Sequence, residues 1–327
     1  MTQAAATLQP IDSHPRRGPW ALMRERVIEA GLLLAAISSI LITSGIVFIL
    51  VSESVPFFRG VSLREFLTGG EWKPMFAPAK FGILPLVSGT LLTTSVALGV
   101  ALPVGTIIAI WLSEFAPAKV REIVKPLLEM LAAVPTVVYG YFAITLVSPA
   151  VQAVWFKLFK EDIATFNVLC AGVVMGLMIV PYVCSLSEDA MRAVPMLLRE
   201  GSYGMGANRT TTAVRVVFPA ALSGIAAAYT LAISRAVGET MIVAIAAGMQ
   251  PNLPSVSLAH PIEAVKDTLL SPAETITAFI VQVSQGDLPH DSIGYQSIFA
   301  AGMTLFVMTL GFNLLGAGLR RRYRQGY

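Results

Sequence analysis

Six long apolar stretches dominate this sequence: residues 30–51, 81–113, 130–156, 163–187, 216–248 and a sixth within 292–319. Five of the six carry no Asp, Glu, Lys or Arg, and the other carries one Arg and one Glu. About 20 helical residues cross the hydrocarbon core of a bilayer, so each stretch is long enough to span it. Inside lipid every backbone N–H and C=O must find a partner within the chain, which leaves helices as the solution. Composition agrees: 13% of residues are charged and mean hydropathy is +0.71, whereas a soluble domain has about a quarter of its residues charged. The expectation is an all-α, polytopic membrane protein with six transmembrane helices. The second stretch calls for tilt or a kink, at Pro85 and Pro103. The third is kept as far as Ser148, before Pro149, and the fourth carries Pro181 near its end.

Lys and Arg sort by side. Leaving Arg235 apart, fifteen fall on the side that holds both termini and seven on the other. The positive-inside rule therefore puts both termini in the cytoplasm, and it accounts for the net charge of +3 without a nucleic-acid partner. Arg320, Arg321 and Arg322 anchor the end of the last span. Residues 1–26 read as a basic, disordered cytoplasmic tail. The first apolar run is longer than the core of a signal peptide and reads as an uncleaved span. Arg16-Arg17 matches a twin-arginine signal only superficially.

The chemistry of enzymes is missing. No HExxH, GxSG, GxGD or GxxxxGK[ST] motif occurs, so any ATP that drives this protein is bound by another subunit. Cys170 and Cys184 lie on one helix, about 21 Å apart at 1.5 Å per residue, and cannot pair. His14, His260 and His290 have no metal-site spacing and read as loop residues, and the methionines read as membrane-core residues. Trp72 and Phe76, between the first two spans, read as interface anchors.

Between the fourth and fifth spans the sequence runs REGSYGMGANRTTTAVRVVFPAALSGI. Gly206 follows Glu200 by six positions, Val216 by sixteen and Pro219 by nineteen. This predicts a short amphipathic helix, a glycine turn around Gly204 and Gly206, and a second element leading into the span at Pro219. The segment resembles the "EAA" loop of ABC importer permeases, with Glu200-Gly201-Ser202 standing for E-A-A and Phe218 for the usual Leu. AVPTVVYGYFAI at 133–144, ISRAVGETMIVAIAAG at 233–248 and the outer stretch 274–302 resemble the phosphate-specific permeases, in their PstC branch, and the likeness extends from about residue 80 onward.

That resemblance implies a type I ABC importer permease fold over residues 27–323, with a cytoplasmic coupling loop at 189–215 and outer loops at 52–80 and 249–291. It implies that Glu200, Gly201, Ser202, Gly206, Val216 and Pro219 couple the chain to an ATPase. The expected partners are a homologous second permease (PstA-like), two ATPase subunits (PstB-like) and a phosphate-binding protein (PstS-like), in the bacterial inner membrane. No cofactor is expected in this chain; ATP and Mg belong to the ATPase.

Arg235 and Glu239 pose the sharpest question. On a continuous helix Arg235 would lie about 26 Å and 20 Å from the ends of its stretch, where a lone arginine costs about 2.5–3.5 kcal/mol to insert. Glu239, at i+4, is expected to neutralise it. Small or polar neighbours, among them Gly224, Thr230, Ser234, Gly238 and Thr240, leave room beside the charges. A guanidinium donates two parallel hydrogen bonds to an oxyanion, and a carboxylate beside it favours an anion that is still protonated near pH 7, as phosphate is and sulfate is not. The resemblance puts this pair on the translocation route. Pro135-Thr136 either exposes backbone polar groups to that route or makes a packing kink; Tyr139 either lines the route or fills an interhelical contact. The outer segment, with Glu263, Asp267, Glu274, Asp287 and Asp291 against Lys266, reads as an acidic docking surface for a binding protein. The alternatives are a permease for molybdate or sulfate, and a channel or secondary transporter that works without ATP.

Overall fold

A computed structural model describes residues 19–254, 261–286 and 288–322, and the chain divides into two units, Met1–Val51 and Ser52–Tyr327. In the first unit lies most of α1 (Pro19–Gly60), whose side chains from Met23 to Ser44 are all exposed. A helix apolar on every face has no side suited to water and belongs among lipid tails. The tail expected over 1–26 lies outside the described residues as far as 18, and from Pro19 the chain is already helical.

In the second unit follow α2 (Leu63–Thr68), the two-residue antiparallel strands β1 (Trp72–Lys73) and β2 (Lys80–Phe81), α3 (Leu84–Ile110), α4 (Ala118–Ala132), α5 (Thr136–Phe142), α6 (Ser148–Phe159) and α7 (Val168–Arg192). Then come α8 (Met196–Gly204), α9 (Arg209–Thr212), α10 (Phe218–Ala220), α11 (Leu222–Val237), α12 (Met241–Ala246), α13 (Pro261–Leu270), α14 (Ile276–Ser284) and α15 (Ile293–Arg322). Among the described residues five helical segments are long and apolar enough to cross a membrane, and the bent pair 209–220 and 222–237 makes a sixth.

Proline decides where the spans deviate from straight helices. Three π-helical turns, 111–115, 143–147 and 213–217, each end directly before an X-Pro pair. In each the residue before the proline (Ala116, Ser148, Phe218) donates its N–H five residues back, to Trp111, Ala143 and Ala213. Proline has no N–H and its ring collides with the carbonyl four residues earlier, and the wider turn absorbs both defects. The third span consequently runs through Pro149: it is Thr136–Phe159, and Met130 belongs to α4. The fifth span was expected as one helix over 216–248; instead it starts at Arg209, bends by 70° after Ala220 and ends at Val237. Pro85 starts α3 rather than kinking it.

The core is the contact of α3 with α7. A Cβ on Gly172 would stand 2.6 Å from Val96, and one on Gly176 would stand 2.7 Å from the carbonyl oxygen of Ala97. Only glycine lets the two backbones come this close, as is common where membrane helices cross. Trp72 is not an interface anchor. The β1–β2 hairpin turns it inward, 2% exposed, edge-on to Phe66, Phe81 and Phe279, while Phe76 stays exposed.

Candidate functional site

The break at Gly238 separates the two charges of the fifth stretch. Because α11 ends at Val237, Glu239 leaves the helical face that Arg235 occupies, and the expected ion pair does not form. Each charge instead meets the end of a helix. Arg235 lies in the last turn of α11, where the partial negative charge of the unpaired carbonyls favours a cation. Glu239 lies at the start of α12, and its Oε1 accepts from the backbone N–H of Met241 (3.2 Å) and Ile242 (3.5 Å). The carbonyl of Glu239 in turn accepts from the Thr277 hydroxyl at 2.8 Å, tying the break to α14.

Among the described residues no carboxylate pairs with Arg235. Its Cζ lies 4.5 Å from the centroid of the Tyr182 ring, Nη2 points at the Met178 sulfur at 3.9 Å, and its buried Nε has no partner. An aromatic face and a thioether stabilise a cation only weakly. The guanidinium therefore retains unused donors, the electrostatic condition for accepting an anion.

The other expected residues divide. The Tyr139 hydroxyl donates to the Leu131 carbonyl at 2.8 Å and the Tyr182 hydroxyl to that of Ala132 at 3.4 Å, so both rings gather at the C-terminal end of α4. Thr136 opens α5 directly after Pro135 and is half-buried. Ser234 turns away from Arg235 and bonds Asn313 on α15 at 3.1 Å. Thr240 reaches the carbonyl of Gly238 at 3.4 Å. Met178 and Tyr182, one turn apart on α7, were not singled out from the sequence; a lone tyrosine beside Pro181 in an apolar span was the available signal.

On the loop between the fourth and fifth spans the short helix is α8, which carries Glu200, Gly201 and Ser202 and exposes Met196 and Leu197, the latter by 77%. Gly206 takes φ +84° in the turn that follows, a conformation that suits glycine. The Ser202 and Thr212 hydroxyls bond at 2.9 Å, closing the loop on itself; Val216 lies within the third π turn and Pro219 follows it in α10. Of the acidic residues expected on the outer segment, Glu274 is 2% exposed with Oε1 unpartnered, and burial pushes its carboxyl up to about 8. It is not part of a docking surface. Lys266 pairs with Glu161. His290 packs against Tyr295, whereas His14, His260 and Asp287 lie outside the described residues.

Residues 101–325 match the family model of the binding-protein-dependent transport system inner membrane component. The chain belongs to this family. It is a multi-pass inner-membrane transport subunit rather than an enzyme, and ATP hydrolysis falls to a separate subunit of a system that depends on a binding protein. It is 34% identical to the probable ABC transporter permease protein YqgH of Bacillus subtilis, over 79% of this chain and 77% of that protein. It is 33% identical to the phosphate transport system permease protein PstC of Mesorhizobium japonicum, over 75% of this chain and 74% of the relative. Among solved structures, a chain of a bacterial alginate ABC transporter in complex with an alginate pentasaccharide-bound periplasmic protein superposes with a TM-score of 0.63 at 16% identity, covering 94% of this chain and 98% of the other. That likeness shows the fold alone, a type I ABC importer permease.

Proposed function

We propose that this permease subunit forms half of the pathway of an ATP-driven importer of inorganic phosphate. The observation that carries the reading is Arg235: a half-buried guanidinium in the last turn of the fifth span, at the helix break, with an unpartnered Nε and, among the described residues, no acid to neutralise it. Leaving such a cation unpaired is costly unless a ligand uses it. A tetrahedral oxyanion fits its planar fork, and the likeness to the Mesorhizobium PstC supports phosphate as that anion.

In this mechanism the anion is held transiently by Arg235 and passes the helix break that Glu239 and Thr240 line. Glu239 does not quench Arg235; it stands beyond the break as a negative group that repels an anion with no proton to offer. Thr136 and Tyr139 border the same route, whereas the Ser234 hydroxyl is committed to Asn313 on α15. The chain pairs with a homologous PstA-like permease, receives phosphate from a PstS-like binding protein on the outer side, and transmits ATP hydrolysis by two PstB-like subunits through residues 200–219, both termini being cytoplasmic. ATP-Mg stays on the ATPase.

The test is uptake of labelled phosphate by cells lacking their own importer and supplied with this chain and its partners, with excess sulfate as competitor. Sulfate-resistant uptake that disappears in the fully assembled Arg235→Gln complex is expected. Uptake suppressed by sulfate moves the substrate to another oxyanion, and an unaffected variant returns Arg235 to a structural role.

A further inference from the structure

A second arginine is placed quite differently. Arg199, in the middle of α8, is only 12% exposed and spends its guanidinium on three sites at once. Its Nη2 donates to Glu114 Oε1 at 2.9 Å and to the Met191 carbonyl at 2.9 Å, and Nη1 donates to the Val194 carbonyl at 2.7 Å. Met191 and Val194 stand at the C-terminal end of α7, whose last carbonyls have no partner within the helix. Glu114 lies 85 residues upstream in the π turn that ends the second span, its side chain 5% exposed and braced by the Ser113 hydroxyl at 3.0 Å.

The neighbouring residue of that π turn grips the other half of the loop. Arg209, which opens α9, stacks over the Phe115 ring with Cζ 5.6 Å from its centroid. Two successive residues of the second span, Glu114 and Phe115, thus hold α8 and α9 respectively. Beyond the turn, α3 is packed on α7 backbone to backbone through Gly172 and Gly176, and α7 carries Met178 and Tyr182 against Arg235. Every link between the loop and the Arg235 guanidinium is therefore a buried polar tie, a ring contact or a close helix packing.

We propose that Arg199 is a positioning residue which, through Glu114, locks the cytoplasmic loop to the end of the second span, so that displacement of α8 by the ATPase moves α3 and α7 as one body. This rests on the reading of the loop as the ATPase contact. A planar guanidinium is required because one group must serve a carboxylate and two carbonyls in divergent directions; a lysine ammonium is a point charge without that fork.

The experiment is reconstitution of the whole complex, with its second permease, ATPase and binding protein, in liposomes carrying Glu114→Gln, Arg199→Lys, Arg199→Gln or the double variant E114Q/R199Q. ATPase subunits retained on the purified complex and phosphate taken up per ATP hydrolysed are both measured. Glu114→Gln leaves the carbonyl bonds of Arg199 in place, so the ATPase is retained while uptake per ATP falls by about threefold or more. Arg199→Lys falls similarly, and the double variant falls no further than Arg199→Gln alone, because the pair acts as one unit. Glu114→Gln with unchanged uptake per ATP overturns the proposal, as does loss of the ATPase from that variant, which would reduce the tie to loop folding. If the unsubstituted complex takes up no phosphate, the substrate reading fails by itself. The tie is then judged by the ATPase stimulation that the binding protein produces with molybdate or sulfate supplied in place of phosphate: a lower stimulation in Glu114→Gln supports it, and equal stimulation overturns it.

Discussion

Arg199 and Arg235 are chemically identical side chains in opposite circumstances. The first faces a buried carboxylate and two helix-end carbonyls. The second faces a tyrosine ring and a methionine sulfur and keeps an unpartnered Nε. A satisfied arginine holds two pieces of protein together, and removing its partner strands a charge. An unsatisfied one is a loss to the folded state that a ligand recovers. In the roles proposed above, the first residue transmits motion and the second meets the transported anion.

The largest expected effect tests the unsatisfied side. Arg235→Gln should lower phosphate uptake by about a hundredfold, the order seen when a single preorganised donor to a charged group is lost, while the melting temperature of the purified complex stays unchanged or rises. A fall in stability matching the fall in transport would place Arg235 with Arg199 as a structural residue. On the satisfied side, Glu114→Gln should destabilise the subunit by about 3 kcal/mol, because it leaves the Arg199 charge buried without its counter-ion. Chemical denaturation in detergent measures this, and a change below about 0.5 kcal/mol, the size expected of ordinary surface substitutions, would remove the contrast.

Glu239→Gln should cost about 1 kcal/mol through the weakened cap of α12 and should admit sulfate as a competitor of phosphate uptake. Unchanged rejection of sulfate would confine Glu239 to capping. The last test brings in a third buried ionisable group. Glu274 is protonated in the fold, its value raised from 4.5 to about 8 by burial. The folded state therefore binds more protons than the unfolded state, so this contribution to stability is complete below about 4.5 and is lost as pH rises toward about 8. The melting temperature should decline across that range, and Glu274→Gln should flatten the decline; an equal slope in both proteins would mean that Glu274 finds a partner when ionised.

Much of the fold was legible because the bilayer demands long apolar helices, and an excess of apolar residues reads directly from composition. The span limits were less so. Pro149 looked like an end, yet the π turn before it carries the third helix through to Phe159. The loop helix around Glu200 and the turn at Gly206 were readable from glycine and proline spacing, since these act locally. Arg235 and Glu239 were conspicuous as charges in an apolar run, but their relation was not. Pairing at i+4 presumes a continuous helix, and the one local sign that it stops at Val237 is Gly238, a residue that apolar spans also carry without breaking.

Local chemistry thus determined what the chain is: a set of bilayer-length helices, punctuated by prolines, with two charges too costly to be there by chance. What those charges touch was decided only by tertiary structure. Glu114 and Arg199 lie 85 residues apart, and Tyr182 meets Arg235 only because α7 packs beside α11. A charge in a low-dielectric interior takes its meaning from the few groups within reach, and those groups are assembled by the fold.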